Sequence, residues 1–153
     1  MKLEHVLLTT DLSEEAMRPF GPVVELAKSM NARVTVLNVV QDIPVAPHGA
    51  PLAPPVSAPH MEREIDAARG ALHDQCAGTF DGVDLHMEVI GHSSPAKAIA
   101  EYADRNRVDL IALSTHGRTG FRHLAFGSVA EAVLRHSNVP VLSFPRAEKS
   151  NGN

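Results

Sequence analysis

Residues 114 to 131 read Ser-Thr-His-Gly-Arg-Thr-Gly-Phe-Arg-His-Leu-Ala-Phe-Gly-Ser-Val-Ala-Glu. They follow the apolar run 110–113 and lead into a helical pattern of apolar residues, so a strand feeds a glycine-bearing loop that opens a helix. Helix N-termini bind anions through unpaired amides, and glycines let an anion approach the backbone closely. The stretch therefore predicts a phosphate-binding loop. The alternative is a plain turn with a capping serine.

Individual residues of this loop carry separate expectations. Gly117 and Gly127 are expected to expose backbone amides, and Ser128 is expected to begin the helix. Ser128 and Glu131 have the spacing of a capping box, which would fix that start. Arg118 is the loop cation placed to reach a phosphate, and its alternative is simple exposure to solvent. A Walker sequence and a GxGxxG fingerprint are both absent from the loop.

The spacing of these residues resembles the nucleotide-binding signature of the universal stress protein family. Residues 114–117, nine intervening residues and then 127–128 follow that family's G-x2-G-x9-G-S/T pattern, with Ser114 in place of the first glycine. Residues 3–12 are similar to the family's opening strand, and residues 138–142 are similar to its closing strand. The resemblance covers nearly the whole chain apart from a proline-rich segment.

The resemblance implies an adenine nucleotide, which is ATP or else ADP or AMP. Adenine would lie against Val39, with Asp11 and the 9–10 backbone near the base and ribose. Magnesium would arrive with the phosphates, because it usually binds few protein ligands directly. The predicted site residues are Thr9, Thr10, Asp11, Val39, Ser114, Gly117, Arg118, Gly127, Ser128 and Val129. Asp11 has an alternative role as a turn or cap residue before the first helix.

Length and composition predict one domain. The chain has 153 residues, and residues 1–146 are expected to form a single domain followed by a polar tail, 147–153. The net charge is −4 and the basic residues are scattered, which disfavours nucleic acid and anionic membranes as partners. The single cysteine, Cys76, excludes an internal disulfide and is expected to be a buried hydrophobe. No signal-peptide or membrane-span pattern occurs, so a cytoplasmic location is expected.

Strand and helix patterns alternate along the chain. Strands are expected near residues 6–11, 34–40, 85–89, 109–113 and 140–144. The first helix, marked by Ser13, meets Pro19 and Pro22, which predicts a kink or a late start. Ser94 is expected to cap the helix that Pro95 opens. In the third strand Leu85, Met87 and Val89 alternate with polar residues, which indicates one wetter face and an edge position.

This alternation predicts an α/β fold with a doubly wound parallel sheet. The family resemblance implies an open five-stranded sheet in the order 3-2-1-4-5, with helices on both faces, of the adenine nucleotide alpha hydrolase-like type. That order places the first and fourth strands side by side. A crevice is then expected at their carboxyl ends, where Asp11 meets the 114–128 loop.

A proline-rich segment, residues 42–60, follows the second strand. It carries prolines at 44, 47, 51, 54, 55 and 59 and is expected to be a flexible loop. Because it leaves the carboxyl end of that strand, it begins beside the predicted site. Two hypotheses for this segment are a lid over the ligand and a solvated linker with no functional role.

The leading functional hypothesis is an ATP-binding regulatory or stress-response protein that works through conformation or partner binding. No catalytic residue is predicted, because His116 has no evident carboxylate or nucleophile as partner, and at most slow ATP hydrolysis is expected. The histidines lack HxH and HExxH spacing, so no protein-bound metal is predicted. The alternatives are a dimeric scaffold that binds no nucleotide and a small ATP-using enzyme. A homodimer through the edge strand 140–144 is expected.

Overall fold

The computed structural model describes residues 2–41, 58–115 and 127–145. Its strands are β1 His5–Thr10, β2 Arg33–Gln41, β3 Leu85–His92, β4 Leu110–Ser114 and β5 Val141–Phe144. All neighbouring strands pair in parallel, in the order β3-β2-β1-β4-β5. The predicted strand order is therefore confirmed, and β3 and β5 are the edge strands.

Within the described residues, four α-helices cover the two faces of the sheet. They are α1 Phe20–Met30, α2 Ala58–Cys76, α3 Pro95–Arg105 and α4 Ser128–His136. Side chains of α1 and α2 share one buried cluster, and those of α3 and α4 share another. Each strand therefore contributes alternate residues to two cores, which explains the near-continuous apolar runs of β1 and β4. None of these helices is long and apolar enough to cross a membrane.

The first helix starts late, as its prolines predict. A short 3-10 turn, Glu15–Met17, precedes Pro19, and α1 begins only at Phe20. The helix ends where Asn31 adopts a left-handed conformation, with φ of 52°. The late start leaves the segment between β1 and α1 as a turn of irregular backbone at the carboxyl edge of the sheet.

Two expectations about α2 and β3 need correction. The predicted loop 42–60 overlaps α2, which begins at Ala58, because Pro59 is tolerated in a first turn where amides lack partners. Residues 42–57 lie outside the described part of the chain. In β3, Met87 is 42 % exposed although its alternation with Val89 predicts burial, because helices cover only part of an edge strand. Cys76 is buried, as expected, and burial raises the pKa of its thiol to about 11.

The topology places a crevice between β1 and β4. These strands are neighbours, with Val6 paired to Leu110. The chain leaves β1 toward α1 on one face, and α4, which follows β4, packs on the other face. Because the helices that follow these two strands lie on opposite faces, this topology places a crevice at the carboxyl ends of the strands.

Candidate functional site

A cavity of about 790 Å³ lies at the carboxyl ends of β1, β2 and β4. The starts of α3 and α4 and one side of α2 complete its walls. Of the predicted site residues, those that line it are Thr9, Thr10, Asp11, Val39, Ser114, Gly127, Ser128 and Val129. The other two, Gly117 and Arg118, lie outside the described residues. The structure thus gathers every described member of the predicted set around one space.

The first amides of α4 lie at this cavity. Gly127 is the N-cap residue, and the first helical hydrogen bond runs from the Glu131 amide to the Gly127 carbonyl at 3.0 Å. The amides of Ser128, Val129 and Ala130 precede that bond and have no partner within the helix. Together with the helix dipole, they form a local centre of positive potential.

Gly127 has a different role from the one its position predicts. Its amide donates to the Thr115 carbonyl at 2.6 Å, so it is already engaged and is not one of the amides offered to an anion. A Cβ added at Gly127 would lie 3.1 Å from that same carbonyl oxygen. Because the two backbone segments approach so closely, glycine at this position sets where α4 begins.

The predicted capping box at α4 is wrong. Ser128 is the first helical residue and not the N-cap, and the helix has no side-chain cap. Glu131 instead forms an ion pair with Arg135 at 2.8 Å, one turn further along α4. The helix start is fixed by the backbone contact at Gly127, which no pattern of capping residues reveals.

The predicted Ser94 cap at α3 is right in position, but the capping hydrogen bond is absent. Ser94 occupies the N-cap position, but its side chain makes no cap hydrogen bond. Its own amide donates to His92 Nδ1 at 2.9 Å. His92 therefore orders the approach to α3 as a hydrogen-bond acceptor.

Asp11 lines the cavity and also orders the turn after β1. Its Oδ1 atom accepts a hydrogen bond from the Ser13 amide at 3.0 Å and another from the Ser13 hydroxyl. The turn role that the sequence left open is therefore present in the structure. Because Asp11 remains only half-buried, this role leaves it accessible from the cavity.

Two polar residues that the sequence did not single out hold the end of β1. Asn38 is buried in β2 and donates from Nδ2 to the Thr10 carbonyl at 2.9 Å. Gln75 in α2 accepts a hydrogen bond from the Thr10 hydroxyl at 2.7 Å. An amide inside the apolar run of β2 is a signal that could have revealed Asn38. For Gln75 the sequence offers none, because helical periodicity does not show which loop a polar side chain reaches.

Ser114 stands where the family pattern has glycine, and its hydroxyl is unusual. Among the described residues, its Oγ atom is buried and has no hydrogen-bond partner. A buried polar atom without a partner costs about 1–3 kcal/mol, so such atoms commonly have a water or ligand beside them. Ser114 also lines the cavity, so this hydroxyl lies beside the cavity.

The remaining walls are mostly apolar and carry few charges. The apolar side chains at the cavity include Leu37, Val39, Ile99 and Leu113. Among the described lining residues, only Asp11 and Glu64 carry a formal charge, and both are acidic. Positive potential within this described lining therefore comes from the α4 amides. The described residues include no group of three or more histidine, cysteine, aspartate or glutamate side chains able to hold a metal ion.

A family model supplies the identification. The model of the universal stress protein family matches residues 2–145, which is almost the whole chain. The chain belongs to the universal stress protein family. Universal stress protein A homolog 1 of Coxiella burnetii is 31 % identical over 153 residues, covering 94 % of this chain and 96 % of the relative.

Solved universal stress protein structures share the fold. UspA from Lactobacillus plantarum is 25 % identical, with a TM-score of 0.70 over 94 % of this chain and 98 % of that one. Protein MJ0577 of Methanocaldococcus jannaschii is 24 % identical, with a TM-score of 0.74 over 97 % of this chain and all of that one. The strand order and the layers of helices are therefore those of this family.

Two further universal stress proteins were solved with nucleotides. One is described in complex with cAMP, at 21 % identity and a TM-score of 0.62 over 94 % of this chain and 97 % of that one. The other, from Archaeoglobus fulgidus, is described in complex with dAMP, at 19 % identity and a TM-score of 0.54 over 94 % and 98 %. Both ligands contain adenine and a phosphate group.

Proposed function

We propose that this universal stress protein binds an adenine nucleotide, ATP carried with Mg²⁺, in the cavity at the carboxyl ends of β1, β2 and β4. The observation that carries the proposal is the composition of this single cavity. It joins an apolar wall, where a base can stack, to the amides of the α4 N-terminus that have no partner within the helix, where phosphates can bind. The relatives in complex with cAMP and dAMP support adenine as the base.

The proposed roles follow from the position of each residue. Adenine packs against Val39 and the neighbouring apolar wall, while Asp11 and the backbone of Thr9 and Thr10 face the base and ribose. The phosphates accept hydrogen bonds from the first amides of α4, at residues 128–130, and from the Ser114 hydroxyl.

Gly117, Arg118 and Gly127 complete the proposed set. Gly127 acts by allowing α4 to start against Thr115, whereas Gly117 and Arg118 are the phosphate contacts that the family pattern implies. The charged lining residues described are acidic, so Mg²⁺ bound to the phosphates would offset repulsion between them and the ligand.

We propose a regulatory mode of action in which the nucleotide changes conformation or partner binding. Asp11 is the carboxylate nearest the proposed ribose site, and its Oδ1 atom is committed to the Ser13 turn. Hydrolysis is therefore expected to be slow at most, driven by positioned phosphates and a metal ion and not by a dedicated base.

The decisive experiment starts with the purified protein. Denaturing it and running the supernatant on an anion-exchange column shows whether adenine nucleotides co-purify. The stripped, refolded protein is then titrated with ATP and Mg²⁺ by calorimetry. Saturable binding of one ATP per chain supports the proposal. The absence of both co-purified nucleotide and measurable binding would favour a scaffold of the same fold.

We also propose a homodimer through β5. Among the described strands β5 pairs with β4 alone, so the backbone groups on its other edge have no strand partner there, and Leu142 on it is 39 % exposed. Pairing of two such edges across a two-fold axis would satisfy these groups. Light scattering should give twice the chain mass at micromolar concentration, and Ser143→Pro should give monomers because proline removes an edge donor. A monomeric native protein would contradict the proposal.

The family match over residues 2–145 supports treating residues 1–146 as one domain with a tail at 147–153. The cytoplasmic location stays a prediction.

A further inference from the structure

The turn between β1 and α1 contains a backbone conformation that needs support. Leu12 has a φ of 66°, in the left-handed region that side chains with a Cβ rarely adopt. It lies directly after Asp11, and both residues line the cavity. Contacts with neighbouring residues must therefore stabilise the left-handed conformation of Leu12, which keeps Asp11 at the cavity.

Gln75, in the last turn of α2, reaches both sides of Leu12. Its Oε1 atom accepts a hydrogen bond from the Thr10 hydroxyl at 2.7 Å, and its Nε2 atom donates to the Ser13 carbonyl at 3.1 Å. The Thr10 oxygen in turn accepts the Leu12 amide at 3.0 Å. One side chain from α2 thus ties together the residues before and after the strained position.

The chemistry of the amide matches this task. The Ser13 carbonyl can only accept, so it requires the Nε2 end of Gln75 and fixes the orientation of the amide. The Thr10 hydroxyl has one hydrogen, which it donates in a hydrogen bond to Oε1 of Gln75. Its oxygen accepts a hydrogen bond from the Leu12 amide. Glutamate would keep the acceptor and lose the donor, and methionine would keep the length and lose both.

We propose that Gln75 is a positioning residue for nucleotide binding, which holds the 10–13 turn in its binding-competent shape without touching the ligand. The proposal rests on the proposed function of the cavity. Gln75 does not line the cavity, whereas Thr10, Asp11 and Leu12 do. Its effect on affinity would therefore come from preorganisation of the turn and not from a lost contact.

The test compares Gln75→Met and Gln75→Glu with Asp74→Asn. Asp74 is the preceding residue of α2, its side chain is 88 % exposed, and its carboxylate lies 3.7 Å from the exposed ring of His73. Calorimetry with Mg²⁺ and ATP, well below the unfolding temperature, should show affinity about tenfold weaker for Gln75→Met and unchanged for Asp74→Asn. Gln75→Glu should also bind more weakly, because it loses the donor to Ser13. It serves as the second variant if Gln75→Met does not fold.

Amide hydrogen exchange separates positioning from a general loss of stability. The amides of Leu12 and Ser13 should exchange faster in the free Gln75→Met protein, while buried amides of β1 such as Leu7 keep their protection. Saturating nucleotide should restore protection at Leu12 and Ser13. Wild-type affinity in Gln75→Met, or unchanged exchange at Leu12, would overturn the inference alone. Failure of the wild-type protein to bind ATP would instead overturn the proposed function and this inference with it.

Discussion

The two ends of the parallel sheet differ in whether a buried polar side chain is left without a partner among the described residues. At the carboxyl end, the Ser114 hydroxyl has no partner among the described residues, and the first amides of α4 face a cavity of about 790 Å³. At the amino end, polar groups bond one another across elements. The Asp109 carboxylate, for example, accepts the amides of Glu4 and His5 at 2.8 and 2.9 Å.

His5 shows how complete the pairing at the amino end is. Its buried ring has Nε2 2.8 Å from the Thr35 hydroxyl and Nδ1 3.2 Å from the Asn106 carbonyl. Nδ1 also lies 3.1 Å from the Arg33 guanidinium. Either neutral tautomer therefore leaves both ring nitrogens paired, and burial lowers the pKa of His5.

This difference between the two ends of the sheet indicates which end binds a ligand. A smaller cavity of about 370 Å³ exists at the amino end, but its lining includes charges of both signs, from Glu4, Lys28, Arg33 and Asp84. Such a mixed surface has no preference for an anion. Polar groups left without partners beside a large cavity are the stronger sign of a binding site than charge alone.

The largest expected effect is on ATP affinity, and it comes from substituting Gly127 at the carboxyl end of the sheet. Gly127→Val adds a Cβ that would meet the Thr115 carbonyl at 3.1 Å, a tight contact that is relieved only if the Thr115 backbone or the start of α4 moves by a few tenths of an ångström. We expect ATP affinity to fall by about a hundredfold, or about 2.7 kcal/mol, in a calorimetric titration.

Gly70→Ala is the matched control for that variant. Gly70 lies within α2, and an added Cβ there meets nothing within 4 Å. The control should bind ATP normally and gain about 0.5–1 kcal/mol of stability, because alanine favours helix. Normal ATP binding by Gly127→Val would show that the position of α4 does not matter to the site.

A second variant separates the two consequences of the unpaired Ser114 hydroxyl. Ser114→Ala removes a buried group without a partner, so we expect the free energy of unfolding to rise by about 1 kcal/mol in urea titrations. ATP affinity should fall about threefold to tenfold, because one hydrogen bond to the ligand is lost. Ser29→Ala, at an exposed position on α1, should leave affinity unchanged. Equal affinity in Ser114→Ala and wild type would remove the hydroxyl from the proposed site.

The amino end predicts a dependence of stability on pH. Because burial lowers the pKa of His5 in the folded state, His5 is protonated at a higher pH in the unfolded chain than in the native protein. Stability should therefore be fully present above about pH 6.5, the ordinary histidine pKa, and should fall as the pH drops below it. Urea unfolding at pH 7.5 and 5.5 should show a smaller difference for His5→Gln than for wild type.

The exposed His73 provides the control for this pH effect. Its side chain is 72 % exposed, so His73→Gln should keep the wild-type difference between the two pH values. A His5→Gln protein with the full wild-type pH dependence would mean that the loss of stability arises elsewhere.

The smallest effect is expected at Glu131. Its exposed ion pair with Arg135 should contribute no more than about 0.5 kcal/mol, so Glu131→Gln should barely change thermal unfolding. A loss of more than about 1 kcal/mol would restore the capping role that the sequence predicts.

The sequence predicted the fold, and it predicted the residues that line one cavity, for identifiable reasons. Alternating strand and helix patterns imply a parallel sheet, and the family resemblance supplied its order. Asp11 and the 114–128 loop were placed together because neighbouring strands that end at the same edge bring their last residues into one crevice, whereas Val39 was placed there by the family resemblance. The parallel sheet follows from local strand and helix patterns, and the crevice follows from the order of its strands.

The details that the sequence missed depend on distances between segments. The engaged amide of Gly127, its contact with Thr115 and the reach of Gln75 to Ser13 each join residues that no periodicity relates. The capping box failed for the same reason, because a backbone contact fixed the helix start first. A buried asparagine in β2 was the one visible signal of the network behind Thr10.

An amide-resolved NMR titration of the stripped protein with Mg²⁺ and ATP tests the contrast between the two ends most directly. We predict saturable shifts at Ser128, Val129 and Ala130 and around Thr10 and Asp11, with the amides of His5, Thr35 and Asp109 unmoved. Saturable shifts confined to the amino end of the sheet, or no saturable shift anywhere, would contradict the assignment of the nucleotide site.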